Sequence, residues 1–324
     1  MSETFLESHI WDSSTRIKSI SLNKAENKIL FGCDDGVIRF YEIYNNKFKI
    51  GTEIEFYGHK KSVENIIWTD LSNNHFVSFG SDGVINFWAI ISKTPIKTIS
   101  TESKYTGLSI NLKDNIFSVC FSNDDGGPEP KGIEFYDTKL ETLKFRQKLS
   151  HRAQFTNWVE NNNKFVYSTY NVITISEFRN QNDKIELNFV EKLKICSDAA
   201  TCTSLNITDD EKFLLVGSTD SSITVFSTKN WTCLQTLYPF PSTIKAMTTI
   251  SDLSLVLSSS SKPSIMLSDF KSTENKKVFL LHRTPKFLVY GQNKKFVVCG
   301  YDSKNGSTKH DYCASIFDEK DILK

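Results

Sequence analysis

The sequence predicts an all-β chain folded as a single seven-bladed propeller over residues 1–324, on three observations. A strand motif recurs at intervals of 40 to 50 residues, each copy is preceded by two further strand-like runs, and no stretch of helical periodicity competes. The clearest copy is Asp82-Gly83-Val84-Ile85-Asn86-Phe87-Trp88, with a near copy at Asp35-Gly36-Val37-Ile38-Arg39-Phe40-Tyr41. Each places a tight turn before an alternating strand that ends in an aromatic ring.

Aligning the remainder to this motif anchors the third strand of each blade at Tyr41, Trp88, Tyr136, Ser176, Phe226, Ser268 and Phe317, with gaps of 47, 48, 40, 50, 42 and 49. Inner strands are expected over Ile17–Leu22, Val63–Trp68, Gly107–Leu112, Phe155–Val159, Cys202–Ile207, Ile244–Thr249 and Pro285–Tyr290. Second strands follow polar turns, as at Phe76–Gly80 and Phe213–Gly217, and outer strands lie between units, as at Pro95–Ile99 and Cys233–Leu237. Only Asp318 to Lys324 follow the last anchor, too few for a turn and an outer strand. The run Thr4-Phe5-Leu6-Glu7-Ser8-His9 is therefore expected to complete the seventh blade and close the ring, leaving short outer edges and a monomeric platform.

Charge and composition narrow the function. Lys and Arg number 39 against 38 Asp and Glu, so the net charge of +1 offers no broad field for a phosphate backbone, and direct nucleic-acid binding is not expected. The N-terminus lacks a signal-like apolar run, and no stretch of about 18 apolar residues could span a bilayer. Seven scattered cysteines read as buried thiols in a reducing compartment. A cytoplasmic protein without membrane contact is the expectation.

Blade 2 carries a set with chemical possibilities: His59 of Gly58-His59, then Ser78, Asp82 and Trp88. A His, Ser and Asp trio invites a hydrolase reading. The repeat register instead assigns each residue a structural place, and other blades keep fragments: His9 with Asp35, His151, Asp220 and His282. His310-Asp311-Tyr312-Cys313 has no second pair at zinc spacing, and Asp124-Asp125-Gly126-Gly127 lacks the ligand spacing of a calcium loop. Phosphate loops, Gly-x-Ser-x-Gly elbows and His-Glu-x-x-His are absent, so no catalytic residue, cofactor or metal is expected. Two connections, Ser122 to Lys131 in blade 3 and Tyr301 to Tyr312 in blade 7, are longer than a tight turn requires.

The set His59, Ser78, Asp82 and Trp88 is similar to the hydrogen-bonded tetrad of WD repeats, which implies a WD40-type propeller. The order of blade features further resembles subunit i of eukaryotic translation initiation factor 3: Asn23 to Phe31 in the first blade, the fullest repeat in the second, and a lengthened connection before Ile133-Glu134-Phe135-Tyr136-Asp137 in the third. The last two blades depart from that family at Ser258 to Ser264 and at Cys299-Gly300-Tyr301-Asp302, while His282 and Pro285 match. This resemblance implies a non-catalytic scaffold that docks on the C-terminal region of subunit b and on subunit g, with the small ribosomal subunit reached indirectly. It also implies that Asp220, in the blade 5 turn, touches a partner; a turn-capping Asp is the other reading. A WD scaffold of another complex, in RNA processing, signalling or a vesicle coat, is the alternative function.

Overall fold

The computed structural model describes residues 3–5, 9–13, 15–69, 74–100, 104–122, 131–139, 142–181, 184–195, 198–281, 283–302 and 312–323. They form seven sheets whose strands are antiparallel and run in chain order from the inside outwards, except where N-terminal strands are added at the outer edges of blades 6 and 7. Blade 2 shows the plan: Val63–Trp68, His75–Gly80, Val84–Ala89 and Lys97–Ser100. The inner strands Ile17–Leu22, Val63–Trp68 and Cys202–Ile207 fall where the alternation places them. Blade 4 departs most from the common length, because its third and fourth strands run over Val172–Gln181 and Lys184–Lys194 as one long hairpin.

Seven apolar clusters form the core, and each lies between two neighbouring blades. Between blades 1 and 2, for instance, Leu30, Ile38 and Phe40 meet Val63, Ile66, Phe76 and Trp88. A single four-stranded sheet cannot bury both of its faces, and stacking it between two others does. This is why burial concentrates in the middle strands, as with Ile116–Ser122 in blade 3, which is buried throughout. The apolar alternation visible in the sequence is thus the imprint of sheet-on-sheet packing around a ring.

Ring closure uses the N-terminal segment, with a different register from that expected over Thr4 to His9. The strand that completes blade 7 is His9–Ser13, antiparallel to Tyr312–Asp318, with His9 opposite Ile316. Upstream, Glu3–Phe5 pairs in parallel with Asn275–Leu280 and gives blade 6 a fifth strand. An outer strand with one open face carries a weak apolar pattern, so its register is poorly specified by sequence. After blade 7 the chain forms a short helix, Glu319–Leu323, whose Ile322 is buried in the cluster between blades 6 and 7.

Turns follow the backbone chemistry of their residues. Gly36, before the third strand of blade 1, has φ +81°, and a Cβ there would lie 2.6 Å from the carbonyl oxygen of His59. Of the described cysteines, Cys33, Cys120, Cys202, Cys299 and Cys313 are buried and Cys233 is exposed, and none of these six is in a disulfide. Burial pushes the Cys202 thiol up to about 12. No described helix is long and apolar enough to cross a membrane.

Candidate interaction site

In blade 2 the four side chains singled out in the sequence converge. His59 enters from the loop after the outer strand of blade 1, Ser78 from the second strand, Asp82 from the turn and Trp88 from the third strand. His59 Nε2 lies 2.7 Å from Ser78 Oγ, and its Nδ1 lies 3.2 Å from Asp82 Oδ1. Trp88 Nε1 donates to Ser78 Oγ at 2.8 Å. One tautomer satisfies the chain: Trp88 N–H to Ser78, the Ser78 hydroxyl to His59 Nε2, and His59 Nδ1–H to Asp82. Asp82 also accepts the backbone N–H groups of Lys60 at 2.8 Å and Val84 at 3.3 Å.

That order of Ser, His and Asp is the order of a hydrolytic triad, but its setting closes it to substrate. Ser78 and Trp88 have 0% exposure, and Trp88 is packed 5.7 Å from the Phe76 ring at an interplanar angle of 10°. The Ser78 hydroxyl is occupied on both sides. The set locks the loop, the turn and the third strand of one blade together.

Elsewhere the same positions are filled by other chemistry. In blade 1, Asp35 takes Arg39 through two hydrogen bonds, at 3.2 and 2.7 Å, while His9 lies in the strand that closes blade 7. In blade 4, His151 meets Tyr170 edge to face at 5.8 Å. In blade 5, Asp220 Oδ1 accepts from Ser218 Oγ and, at 3.1 and 2.6 Å, from the N–H and Oγ of Ser222. Desolvation opposes ionisation of Asp220, yet these donors outweigh it and hold the carboxyl below its ordinary value. The structure therefore places Asp220 as the organiser of its own turn. His282, Asp124 to Gly127, His310 and Asp311 lie outside the described residues, as do 123–130 and 303–311 of the two long connections. Among the described residues there is no group of three or more side chains suited to a metal ion.

Sequence reading missed a feature that repeats around the channel. In five blades the inner strand carries a register shift near its start: at Lys18, Glu64, Thr106 with Gly107, Thr203 and Lys286. An extra residue on one strand re-aims side chains and ends regular pairing, and such bulges cluster at sheet edges and binding sites. At Gly107 a Cβ would lie 2.6 Å from the carbonyl oxygen of Gln154, so blade 3 approaches blade 4 through bare backbone. Three of these bulges, at Glu64, Thr106 and Thr203, line a cavity of about 660 Å³ to which Lys104, Arg152 and Lys245 also contribute. On the opposite face, a groove of about 700 Å³ between blades 4 and 5 is lined by Lys164, Lys212, Phe213, Lys229 and Trp231 among others.

No family model matches the chain. It is 23% identical over 240 residues to the WD repeat-containing protein AAC3 of Dictyostelium discoideum, the match covering 67% of this chain and 48% of that protein. The chain thus matches about half the length of this relative.

Proposed function

We propose that this WD-repeat propeller is a non-catalytic scaffold for protein partners, and that it serves as subunit i of the eukaryotic translation initiation factor 3 complex in the cytoplasm. The observation that carries the scaffold reading is the sealed set of His59, Ser78, Asp82 and Trp88: its hydrogen-bonding capacity is spent on holding blade 2. A rigid ring of this kind offers partners two faces and the outer strand edges. The assignment to the initiation factor rests on the order of blade features, from Asn23–Phe31 through the full repeat of blade 2 to the lengthened connection of blade 3. In this reading the propeller docks on the C-terminal region of subunit b and on subunit g, and Asp220 shapes a contact through the turn it holds.

Ser258 to Ser264 stands where that family has a glycine-rich segment, which favours a second reading, a WD scaffold of another complex. Purification of the tagged protein from its own cells separates the two. Recovery of initiation-factor subunits and small ribosomal subunits is the expected result. Recovery of an RNA-processing, signalling or coat complex in their place would overturn the assignment and leave the scaffold reading.

A further inference from the structure

The turn between the third and outer strands of blade 5, Ser227 to Thr232, is fixed by its own sequence. Asn230 Oδ1 accepts the Thr232 N–H at 3.4 Å and the Thr232 hydroxyl at 2.9 Å. Trp231 N donates to the Ser227 carbonyl at 2.9 Å, and Thr228 N to the Lys212 carbonyl at 3.0 Å. The carboxylate of Glu211 in turn takes two backbone N–H groups of blade 4, Glu160 at 3.2 Å and Asn161 at 2.9 Å. These bonds pin together the walls of the groove of about 700 Å³ between blades 4 and 5, on the face opposite the bulged channel mouth. A cleft of this size that is already formed loses little order when a short segment enters it.

Five charged side chains are among the described lining, and four of them are spent within the protein. Lys164 pairs with Glu177 at 3.9 Å, Lys212 pairs with Asp210 at 3.0 Å, and Glu211 holds the two amides of blade 4. Lys229 is exposed, and no carboxylate among the described residues lies within ion-pair reach of it. Two positions on, Trp231 forms an apolar floor with Phe213. The Trp231 indole N–H has no acceptor among the described residues and, unlike that of Trp158, is not sealed from solvent. One rigid turn thus presents an unused cation, an apolar ring edge and an unused donor.

This set selects among ligands. A run of phosphates would meet Asp210 and Glu211 as well as Lys229. Trp231 is 8% exposed and offers no open ring face, whereas single-stranded nucleic acids are held largely by base stacking. An acidic residue flanked by apolar ones needs one cation, an apolar surface and a donor for a backbone carbonyl, which the turn supplies.

We propose that the groove between blades 4 and 5 binds an extended segment of a partner protein in which one acidic residue stands among apolar ones. Its carboxylate pairs with Lys229, an apolar side chain lies against Trp231 and Phe213, and a backbone carbonyl accepts the indole N–H. This rests on the reading of the chain as a protein-interaction scaffold. The test uses the full chain and the capped, fluorescein-labelled peptide Ser-Leu-Leu-Glu-Leu-Leu-Ser, followed by fluorescence polarisation. Saturable binding is expected, weakened about threefold by high salt because Lys229 is open to screening ions. Lys229 is exposed, so Lys229→Glu should keep the thermal melt and weaken binding about tenfold. Trp231→Phe keeps an aromatic ring and removes the donor, and should weaken binding about threefold. Lys245→Glu, at the channel mouth, should leave it unchanged. Replacing the peptide's Glu by Gln, or its four Leu by Ser, should each weaken binding about tenfold.

Absence of saturable binding, or binding insensitive to Lys229→Glu, would overturn the proposal. So would equal binding of the Gln or the Ser peptide, since one of the two recognised features would then play no part. Labelled hexauridylate binding more tightly, and losing affinity in Lys229→Glu, would overturn it by making the groove a nucleic-acid site. If purification from cells still recovers a protein complex while the peptide does not bind, the scaffold reading stands and the groove proposal falls.

Discussion

Both carboxylate oxygens of Glu26, in the first turn of blade 1, accept backbone N–H groups from the corresponding turn of blade 7: Asn293 N at 3.0 Å and Lys294 N at 2.8 Å. Glu26 is 6% exposed and has φ +54°, so its backbone is bent into the left-handed region to deliver the carboxylate. Asn46, also in blade 1, adds a contact to the Lys294 carbonyl at 3.3 Å. These bonds bridge the first and last blades on the face opposite the channel mouth, while His9–Ser13 closes the outer edge. Glu26→Ala should cost about 2 kcal/mol by leaving two N–H groups unpaired, a fall of about 4 °C in a thermal melt. Glu26→Gly separates backbone from side chain: it removes the left-handed strain yet should still destabilise. Stability of Glu26→Gly above that of wild type would show that the relieved strain outweighs what the carboxylate contributes.

The hydrogen-bond relay of blade 2 makes Ser78 its centre, since that hydroxyl serves both Trp88 and His59. Ser78→Ala strands two ring N–H or N sites in a fully buried place and should cost about 2 to 3 kcal/mol, read from urea unfolding. Trp88→Phe keeps the packing against Phe56 and Phe76 and removes one donor, so its cost should be about 1 kcal/mol. Equal losses for the two would mean that packing, not the relay, holds the blade.

Blade 2 was legible because its turn, strand and aromatic residues all carry local signals: Gly83 at φ +76°, alternation through Phe87, and Trp88 at the end. Blades 4 and 6 were legible by spacing, since Ser176 and Ser268 give no aromatic anchor. The closing strand was placed one segment too early because the Thr4 to His9 run and His9–Ser13 have similar outer-strand character. What could not be read was the role of acids in polar turns. Glu26, Glu160 and Glu211 look like solvated loop charges, yet each accepts a backbone N–H from the neighbouring blade, as Glu160 does from Leu112 at 2.9 Å. Their partners are distant in sequence and have no side-chain signature. The bulges of the channel mouth were hidden for the same reason, because register belongs to two strands at once.

Acid should unfold the propeller through its turn carboxylates. Burial alone would raise Asp35, Asp82, Asp210, Asp220 and Asp269, but hydrogen bonds from partners such as Arg39, His59, Thr208, Ser218 and the Ser272 amide outweigh it and lower all five. A carboxyl lowered in the folded state binds fewer protons there than in the unfolded chain. Its contribution is fully present above the ordinary value of about 4 and is lost as pH falls through the lower folded values. Asp209 acts in the opposite sense, because burial raises it. Urea midpoints measured from pH 7 to pH 3 should fall most steeply below about pH 4. The gap between Asp82→Asn and wild type should narrow over that range; a constant gap would remove Asp82 from the effect.

Blade 3 holds a charge that the ring cannot leave unpaired. Glu134 has 0% side-chain exposure and is ion-paired to Arg146, which is 44% exposed. Its Oε2 accepts from Tyr136 at 2.6 Å and from Tyr105 at 3.2 Å. Arg146 also lies 5.0 Å from the centre of the Phe121 ring, which fixes the guanidinium over the strand pair. Removing one member of a buried pair strands the other charge, whereas neutralising both does not. Arg146→Ala should therefore cost about 3 kcal/mol in urea unfolding at pH 7, at the low end for a buried pair because the arginine is partly solvated. Adding Glu134→Gln should recover part of that loss, since glutamine still accepts from Tyr105 and Tyr136 without a charge. If the double variant is less stable than Arg146→Ala alone, the carboxylate is held by the two tyrosines and the arginine is incidental.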